Sequence, residues 1–225
     1  MIRTFAVVVL VAQLGVAQPN IVLFYADDLG WRDLACMGSK FYDTPHIDRL
    51  AAEGMLFTDA YANAPNCAPS RACLMSGQYT PRHGVFTVGS PNRGRAELRR
   101  LIAIKNKTVL DQKFVTVAES LKAAGYRTAT MGKWHLGDDP TTQGFDLNVG
   151  GFRAGAPKSY FSPYKNPNLK DGSQGEYLTD RLTDAAVSFI HEKDKRPFFL
   201  YLTHYAVHTP LQAKGDDMAR FADRQ

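Results

Sequence analysis

The sequence is short of cysteine, tryptophan and long apolar runs. Three cysteines among 225 residues are too few for a disulfide scaffold, and an odd number leaves at least one thiol without a partner in the chain. No apolar stretch reaches the roughly 18 residues that a membrane-spanning helix takes, so no stable membrane span is expected. Neither charge sign dominates: 27 basic residues stand against 22 acidic ones, for a net charge of +5. That mild excess suits an anionic substrate. Arginine-rich helices and zinc-finger spacings are missing, so no nucleic-acid partner is expected. There is no internal repeat, and 44% hydrophobic with 22% charged residues is a globular composition rather than a disordered, collagenous or coiled-coil one. What is plentiful is loop chemistry: 18 glycines and 12 prolines suit an enzyme whose reactive groups sit on loops.

The first residues read as a targeting segment. Met1-Ile2-Arg3 is a positive start, Phe5 to Ala12 a short apolar run, and Gly15 and Ala17 are small residues at the spacing of a signal-peptidase site. The expectation is a secretory signal over 1–17 and a secreted or periplasmic protein.

Beyond it, Ile21 to Tyr25 is an unbroken apolar run, read as a strand covered on both faces. The polar turn Ala26-Asp27-Asp28-Leu29-Gly30 follows. Thr44 as N-cap and Pro45 at the first helical position open a helix with an Ile47, Leu50, Ala51 stripe, closed by Gly54. Met55 to Tyr61 reads as a second extended segment, Pro65 to Ser70 as a loop, and Arg71 to Met75 as the start of a short helix. Residues 82–113 hold eight Lys or Arg against Glu97 and Asp111, a basic surface insertion. Thr116 and Glu119 form a capping box for a helix running to Ala124 and stopping at Gly125. Tyr126 to Met131 reads as a strand, 150–176 as a loop, Leu178, Leu182, Ala185, Ala186 and Phe189 as one helical face, and Phe198 to Leu202 as another buried strand. Helices between buried apolar runs predict an α/β fold, a mainly parallel sheet sandwiched by helices. Ligands of such sheets gather beyond the carboxyl ends of the strands, where three polar clusters lie: Asp27-Asp28, Lys133 with His135, and His204 with His208.

Two adjacent carboxylates repel, and a hard divalent cation that takes oxygen from both relieves the repulsion. Cys67 precedes a helix start, where backbone amides and Arg71 favour negative charge. A thiolate nucleophile or a small buried thiol both fit this position. Cys36 and Cys73 read as free core thiols, His83 as structural, and His204 as too awkwardly spaced from His208 for a zinc pair. Trp31 and Trp134 either line the pocket or pack.

Cys67-Ala68-Pro69-Ser70-Arg71 resembles the sulfatase signature C-x-P-S-R, and L-M-S-G-Q-Y-T-P-R-H-G resembles its continuation. P-N-I-V-L-F-Y-A-D-D-L-G-W is similar to the N-terminal metal motif of that family, and G-Y-R-T-A-T-M-G-K-W-H-L-G to its second signature. T-P-H-I-D-R-L-A-A-E-G and P-F-F-L-Y-L-T-H-Y-A-V-H-T-P are further similar blocks, and all five follow the family's order from Pro19 nearly to the end. The resemblance implies an alkaline-phosphatase-like fold and formylglycine-dependent hydrolysis of a sulfate ester of a carbohydrate or aryl alcohol. In that family the signature cysteine, here Cys67, is oxidised by a formylglycine-generating enzyme that recognises the Cys67–Arg71 stretch, Ser70 included. The hydrated aldehyde attacks sulfur with one hydroxyl, the alcohol leaves, and the second hydroxyl helps expel sulfate.

Carried over residue by residue, the resemblance gives Asp27, Asp28 and modified Cys67 the divalent cation, usually Ca2+. It gives Arg71 the formylglycine, Lys133 and His135 the sulfate and the formylglycine hydroxyls, and His208 the bridging oxygen and substrate. Calcium takes about six to eight oxygen ligands. The family's later Asp–Asn pair and further lysine have no match here, since Asp216-Asp217 lies in a charged tail. Residues 18–225 therefore read as the N-terminal part of a sulfatase catalytic domain, C-terminally truncated. The alternatives are a phosphodiesterase or phosphonate hydrolase of the same superfamily, or an inactive secreted fragment that binds polyanions.

Overall fold

The computed structural model describes residues 18–224, so the segment 1–17 read as a signal lies outside the described residues. In chain order the chain forms β1 (Ile21–Tyr25), α1 (Pro45–Glu53), α2 (Cys67–Ser76), α3 (Thr80–His83), α4 (Val117–Ala123), β2 (Arg127–Gly132), β3 (Leu147–Val149), α5 (Leu178–Ile190), β4 (Phe198–Thr203) and α6 (Gly215–Ala219). The four strands make one sheet in the order β1-β4-β2-β3, and every pair is parallel. Among the described residues, no helix is long and apolar enough to cross a membrane.

The apolar run of β4 makes it the centre of the sheet, buried at every residue. Its alternate side chains feed two cores. Phe198, Leu200 and Leu202 join Ala129 and Met131 of β2 against the Leu178, Leu182, Ala186, Phe189 face of α5. Phe199 and Tyr201 join Ile21, Leu23 and Tyr25 of β1 against Ala68, Ala72 and Met75 of α2 and Ala118 of α4. The expected helix–sheet–helix sandwich is present, and each fully buried aliphatic or aromatic side chain in it contributes about 1.5–3 kcal/mol. The capping box at α4 forms as expected. The Glu119 amide donates to Thr116 Oγ1 at 3.1 Å, and the Thr116 amide donates to Glu119 Oε2 at 2.7 Å.

Several expectations are corrected. β1 is covered on one face only, with Val22 50% and Phe24 55% exposed, because it is an edge strand and no described element lies over that side. Residues 55–61 are irregular, with a turn at 58–59, rather than a strand, and Met55, Phe57 and Tyr61 stand in solvent. α2 begins at Cys67, not Arg71. Pro69 is tolerated there because an amide in the first helical turn has no partner to lose. In α1 the hydroxyl of Thr44 does not cap. It accepts from the Ala35 amide at 2.9 Å and donates to Asp48 at 2.8 Å. No residue of α1 is buried, so the Ile47–Leu50 stripe packs on nothing deep. Of the two tryptophans, Trp134 packs edge-on against Phe145 in the core, whereas Trp31 is exposed.

Candidate active site

The adjacency of β1, β4 and β2 decides what meets what. Their carboxyl ends deliver Asp27-Asp28, Thr203 and Lys133 side by side. β2 closes on Gly132, which has φ +108°, and a Cβ there would stand 2.0 Å from the Thr203 carbonyl oxygen. Only glycine lets the two strand ends approach this closely, and the approach lets the Lys133 amide donate to Thr203 O at 2.7 Å.

Asp27 is buried and receives two cations. Arg71 Nη2 lies 3.3 Å from Asp27 Oδ1, and the Lys133 ammonium pairs with Oδ2. Arg71 reaches this point from one turn into α2, four residues after Cys67. Its Nη1 donates to Lys133 O at 2.7 Å and to the Tyr201 hydroxyl at 3.2 Å, and its guanidinium lies over the Tyr25 ring at 4.8 Å. Burial works against the Arg71 charge, but Tyr201, Asp27 and Tyr25 together raise its pKa above the ordinary value. The site thus holds two fixed positive charges and one negative charge away from water, where such charges act most strongly.

Asp28, in the left-handed region at φ +57°, turns outward. The Asp27 amide donates to Ala206 O at 3.2 Å and the Val207 amide donates to Asp27 O at 2.8 Å. These two bonds bring His208 Nε2 to 3.6 Å from Asp28 Oδ2. His208 Nδ1 is 2.9 Å from the Thr209 carbonyl. A carbonyl can only accept, so Nδ1 carries the hydrogen and Nε2 is the free atom. Ligand atoms of Asp27, Asp28 and His208 lie within 4.8 Å of one another. The two carboxylates of this group fit a hard divalent cation, with His208 Nε2 beside them. Cys67, expected among the cation's holders, is not in this group.

Cys67 is half-buried at the start of α2 and lines, with Asp27, Asp28, Asn66 and Ser70, a cavity of about 340 Å³. The Ser70 hydroxyl is 2.9 Å from that of Tyr25. His135 sits at φ +61°, with its amide donating to Phe152 O at 2.9 Å. Burial, then Lys133 and Arg71, lower its pKa to about 4. Its Nδ1 is buried without a hydrogen-bond partner among the described residues, which leaves a polar atom for a ligand.

The remaining candidates fall outside this cluster. His83 is structural: its Nδ1 accepts from the Val85 amide at 3.1 Å, and its Nε2 faces Cys73 Sγ at 3.4 Å. Cys36, Cys67 and Cys73 are all free thiols. His204 is buried against Phe24, with ring centroids 5.3 Å apart, and does not join His208. Sequence reasoning missed Tyr25, Tyr201 and Thr203, which support Arg71. The only signal for them was a polar end on an otherwise apolar strand side chain.

The sulfatase family model matches residues 19–225. The N-acetylgalactosamine-6-sulfatase of Mus musculus is 36% identical over 223 residues, which cover 87% of this chain and 41% of the relative. The crystal structure of Ps i-CgsB in complex with k-i-k-neocarrahexaose is similar with a TM-score of 0.77 at 37% identity, covering 92% of this chain and 49% of that one. A protein solved in complex with its substrate D-glucosamine-2-N,6-O-disulfate has a TM-score of 0.72 at 28% identity, covering 92% of this chain and 38% of that one. This chain spans less than half the length of these relatives.

Proposed function

The chain belongs to the sulfatase family, with an alkaline-phosphatase-like parallel sheet, and from this premise we propose that it serves the hydrolysis of a sulfate ester on a carbohydrate. The observation that carries the proposal is the meeting of Cys67, the Asp27–Asp28 pair and the buried cations Arg71 and Lys133 at neighbouring strand ends. The substrate class rests on the relatives, whose names and bound molecules are sulfated-sugar hydrolases and sugars.

In this reading a formylglycine-generating enzyme acts on the Cys67–Arg71 stretch, and the hydrated aldehyde at residue 67 supplies the oxygen nucleophile. Asp27, Asp28 and residue 67 would hold a divalent cation, Ca2+ by resemblance, which when bound would supply positive charge beside the nucleophilic oxygen. Lys133 receives the sulfate oxygens as a point charge, and Arg71 steadies residue 67 from one turn further along α2. His135, neutral above about pH 4, binds with one N–H and one lone pair and adds no positive charge. His208 Nε2 is the atom that, once protonated, gives its proton to the departing alcohol oxygen. The segment 1–17 would direct the protein to the secretory or periplasmic route.

The test is mass spectrometry of the Cys67 peptide from a host containing a formylglycine-generating enzyme. It is paired with sulfate release from N-acetylgalactosamine 6-sulfate, 4-nitrophenyl sulfate and, for comparison, a nitrophenyl phosphodiester. An aldehyde at residue 67, and turnover on sulfates that Cys67→Ala abolishes, is the expected result. An unmodified thiol with turnover surviving in Cys67→Ala overturns the reading. Preference for the phosphodiester shifts it to a phosphodiesterase.

A further inference from the structure

His135 keeps its backbone in the left-handed region, at φ +61°, where a non-glycine residue stays only if its surroundings hold it. No hydrogen bond holds its ring at Nδ1 among the described residues. Its amide bond to Phe152 O, 2.9 Å long, ties it instead to the loop of residues 150–155. We propose that Asn148 of β3 is a positioning residue that acts on His135 through this loop, its catalytic consequence resting on the sulfatase reading.

Asn148 grips both polar groups of Gly151. Its Nδ2 donates to Gly151 O and the Gly151 amide donates to its Oδ1, each at 2.9 Å. The Gly151 N–H can only donate and its carbonyl can only accept. One side chain meets both only if it carries a donor and an acceptor on the same group, as a carboxamide does and an ionised carboxylate does not. Asn148 also pairs in register with Thr130 of β2, so the grip is built on the sheet and not on another loop.

The grip reaches two residues of the candidate site. A Cβ on Gly151 would stand 2.7 Å from Asn148 Oδ1, 3.2 Å from Gly132 O and 3.3 Å from Trp134 Cβ. The loop is therefore pressed against the two residues that flank Lys133. The next residue, Phe152, presents its carbonyl to the His135 amide. Without the Asn148 side chain, the buried Gly151 N–H loses this acceptor, and an unmet buried donor drives the loop to shift.

Other contacts complete the brace. Asn166 Nδ2 and the Tyr205 hydroxyl both donate to Gly150 O at 2.9 Å. Asn168 Nδ2 donates to Gly151 O at 2.7 Å and lies 3.4 Å from Asp138 O, so it spans the loop of Gly151 and the loop of His135. The Asp138–Arg153 ion pair joins the same two loops, but both side chains are exposed, and exposed pairs contribute little.

The experiment follows the His135 ring by NMR in the full chain labelled with 13C-histidine. Its signals are identified among those of the six histidines by their loss in His135→Asn. Sulfate release from N-acetylgalactosamine 6-sulfate is measured alongside. Asn148→Ala is expected to move the His135 signals and to lower kcat about 10- to 100-fold, with KM changed far less. Asn168→Ala lies at an exposed position and removes one of the two side-chain donors to Gly151 O. It should move the same signals by a smaller amount, and it carries the test if Asn148→Ala does not fold. Phe189→Leu is the control for stability. It thins the core beside Phe198 at the amino end of β4 and should lower the urea midpoint while the His135 signals stay in place. Unmoved His135 signals in Asn148→Ala, or in Asn168→Ala where the first variant does not fold, would overturn the proposal. So would equal movement in Phe189→Leu, or moved signals with undiminished kcat. A parent chain that releases no sulfate defeats the hydrolase reading instead, and the His135 signals then decide the positioning by themselves.

Discussion

Gly155 lies against the imidazole of His135: a Cβ built on it would stand 2.3 Å from Cε1 and 2.7 Å from Nε2. The same loop holds the His135 backbone, whose amide donates to Phe152 O at 2.9 Å. His135 therefore has its main chain and its ring both set by residues 152–155. Gly155→Ala forces the ring out of place, since no flexible side chain stands between the new methyl and the imidazole. A displacement of about 1 Å at a reacting centre costs on the order of 10²-fold in rate. In the sulfatase reading, turnover of N-acetylgalactosamine 6-sulfate should fall by that order with KM changed far less, and the His135 ring resonances should move. Unmoved His135 resonances together with undiminished turnover would refute the link.

Asp27 is the only carboxylate paired with both Arg71 and Lys133 among the described ion pairs. Asp27→Ala leaves two cations buried beside each other without their counter-charge. Breaking a buried pair by removing one partner costs about 3–5 kcal/mol. Urea unfolding at neutral pH should register a loss of that order in Asp27→Ala. Asp27→Asn keeps the shape and some hydrogen bonding and should lose less. Equal stabilities of Asp27→Ala and the parent chain would show that water reaches these charges.

Asp28 separates cation binding from stability. Its side chain is 58% exposed and it occupies φ +57°, a conformation asparagine also tolerates. Asp28→Asn should therefore change the unfolding free energy by no more than about 0.5 kcal/mol. In the cation reading it removes one of the two charged oxygen donors, so calorimetric Ca2+ affinity should drop about tenfold or more. Unchanged Ca2+ affinity would place the cation elsewhere.

How much of this was legible in the sequence follows the range of the forces involved. The capping box of Thr116 and Glu119 spans four residues and forms as read. The α5 stripe is periodic within one helix and is buried as read. The motif residues, from Asp27 to His208, are carried by local blocks, and parallel strands with polar exits bring most of them to one end of the sheet. What escaped depends on distant partners. β3 is only Leu-Asn-Val and becomes a strand because β2 offers it an edge. Val22 and Phe24 look buried from their apolarity, but exposure depends on which element covers β1. Arg71, Lys133 and Asp27 meet across 44 and 106 residues of chain, and no pattern of period 2 or 3.6 encodes such a meeting. Gly155 carries no side chain at all, so its contact with His135 left no trace in composition or spacing.

His204 makes the fold sensitive to mild acid. It is buried at the end of β4, beside Phe24, with Nδ1 unpartnered among the described residues. Burial alone lowers its pKa to about 4, against about 6.5 in the unfolded chain. Above pH 6.5 the ring is neutral in both states and costs nothing. Between pH 6.5 and 4 the unfolded chain binds a proton that the native chain refuses, so stability rises with pH across this window and is lost as the pH falls. At 1.36 kcal/mol per unit, lowering the pH from 7 to 5 should cost about 2 kcal/mol through His204. His204→Leu packs on Phe24 and has nothing to protonate, so its stability should fall less over the same interval by about that amount. His135, also held near 4, contributes to both proteins and cancels in the comparison. Urea midpoints at pH 7 and pH 5 for the two proteins measure the difference, and parallel losses in both would show that His204 is reached by water in the folded state.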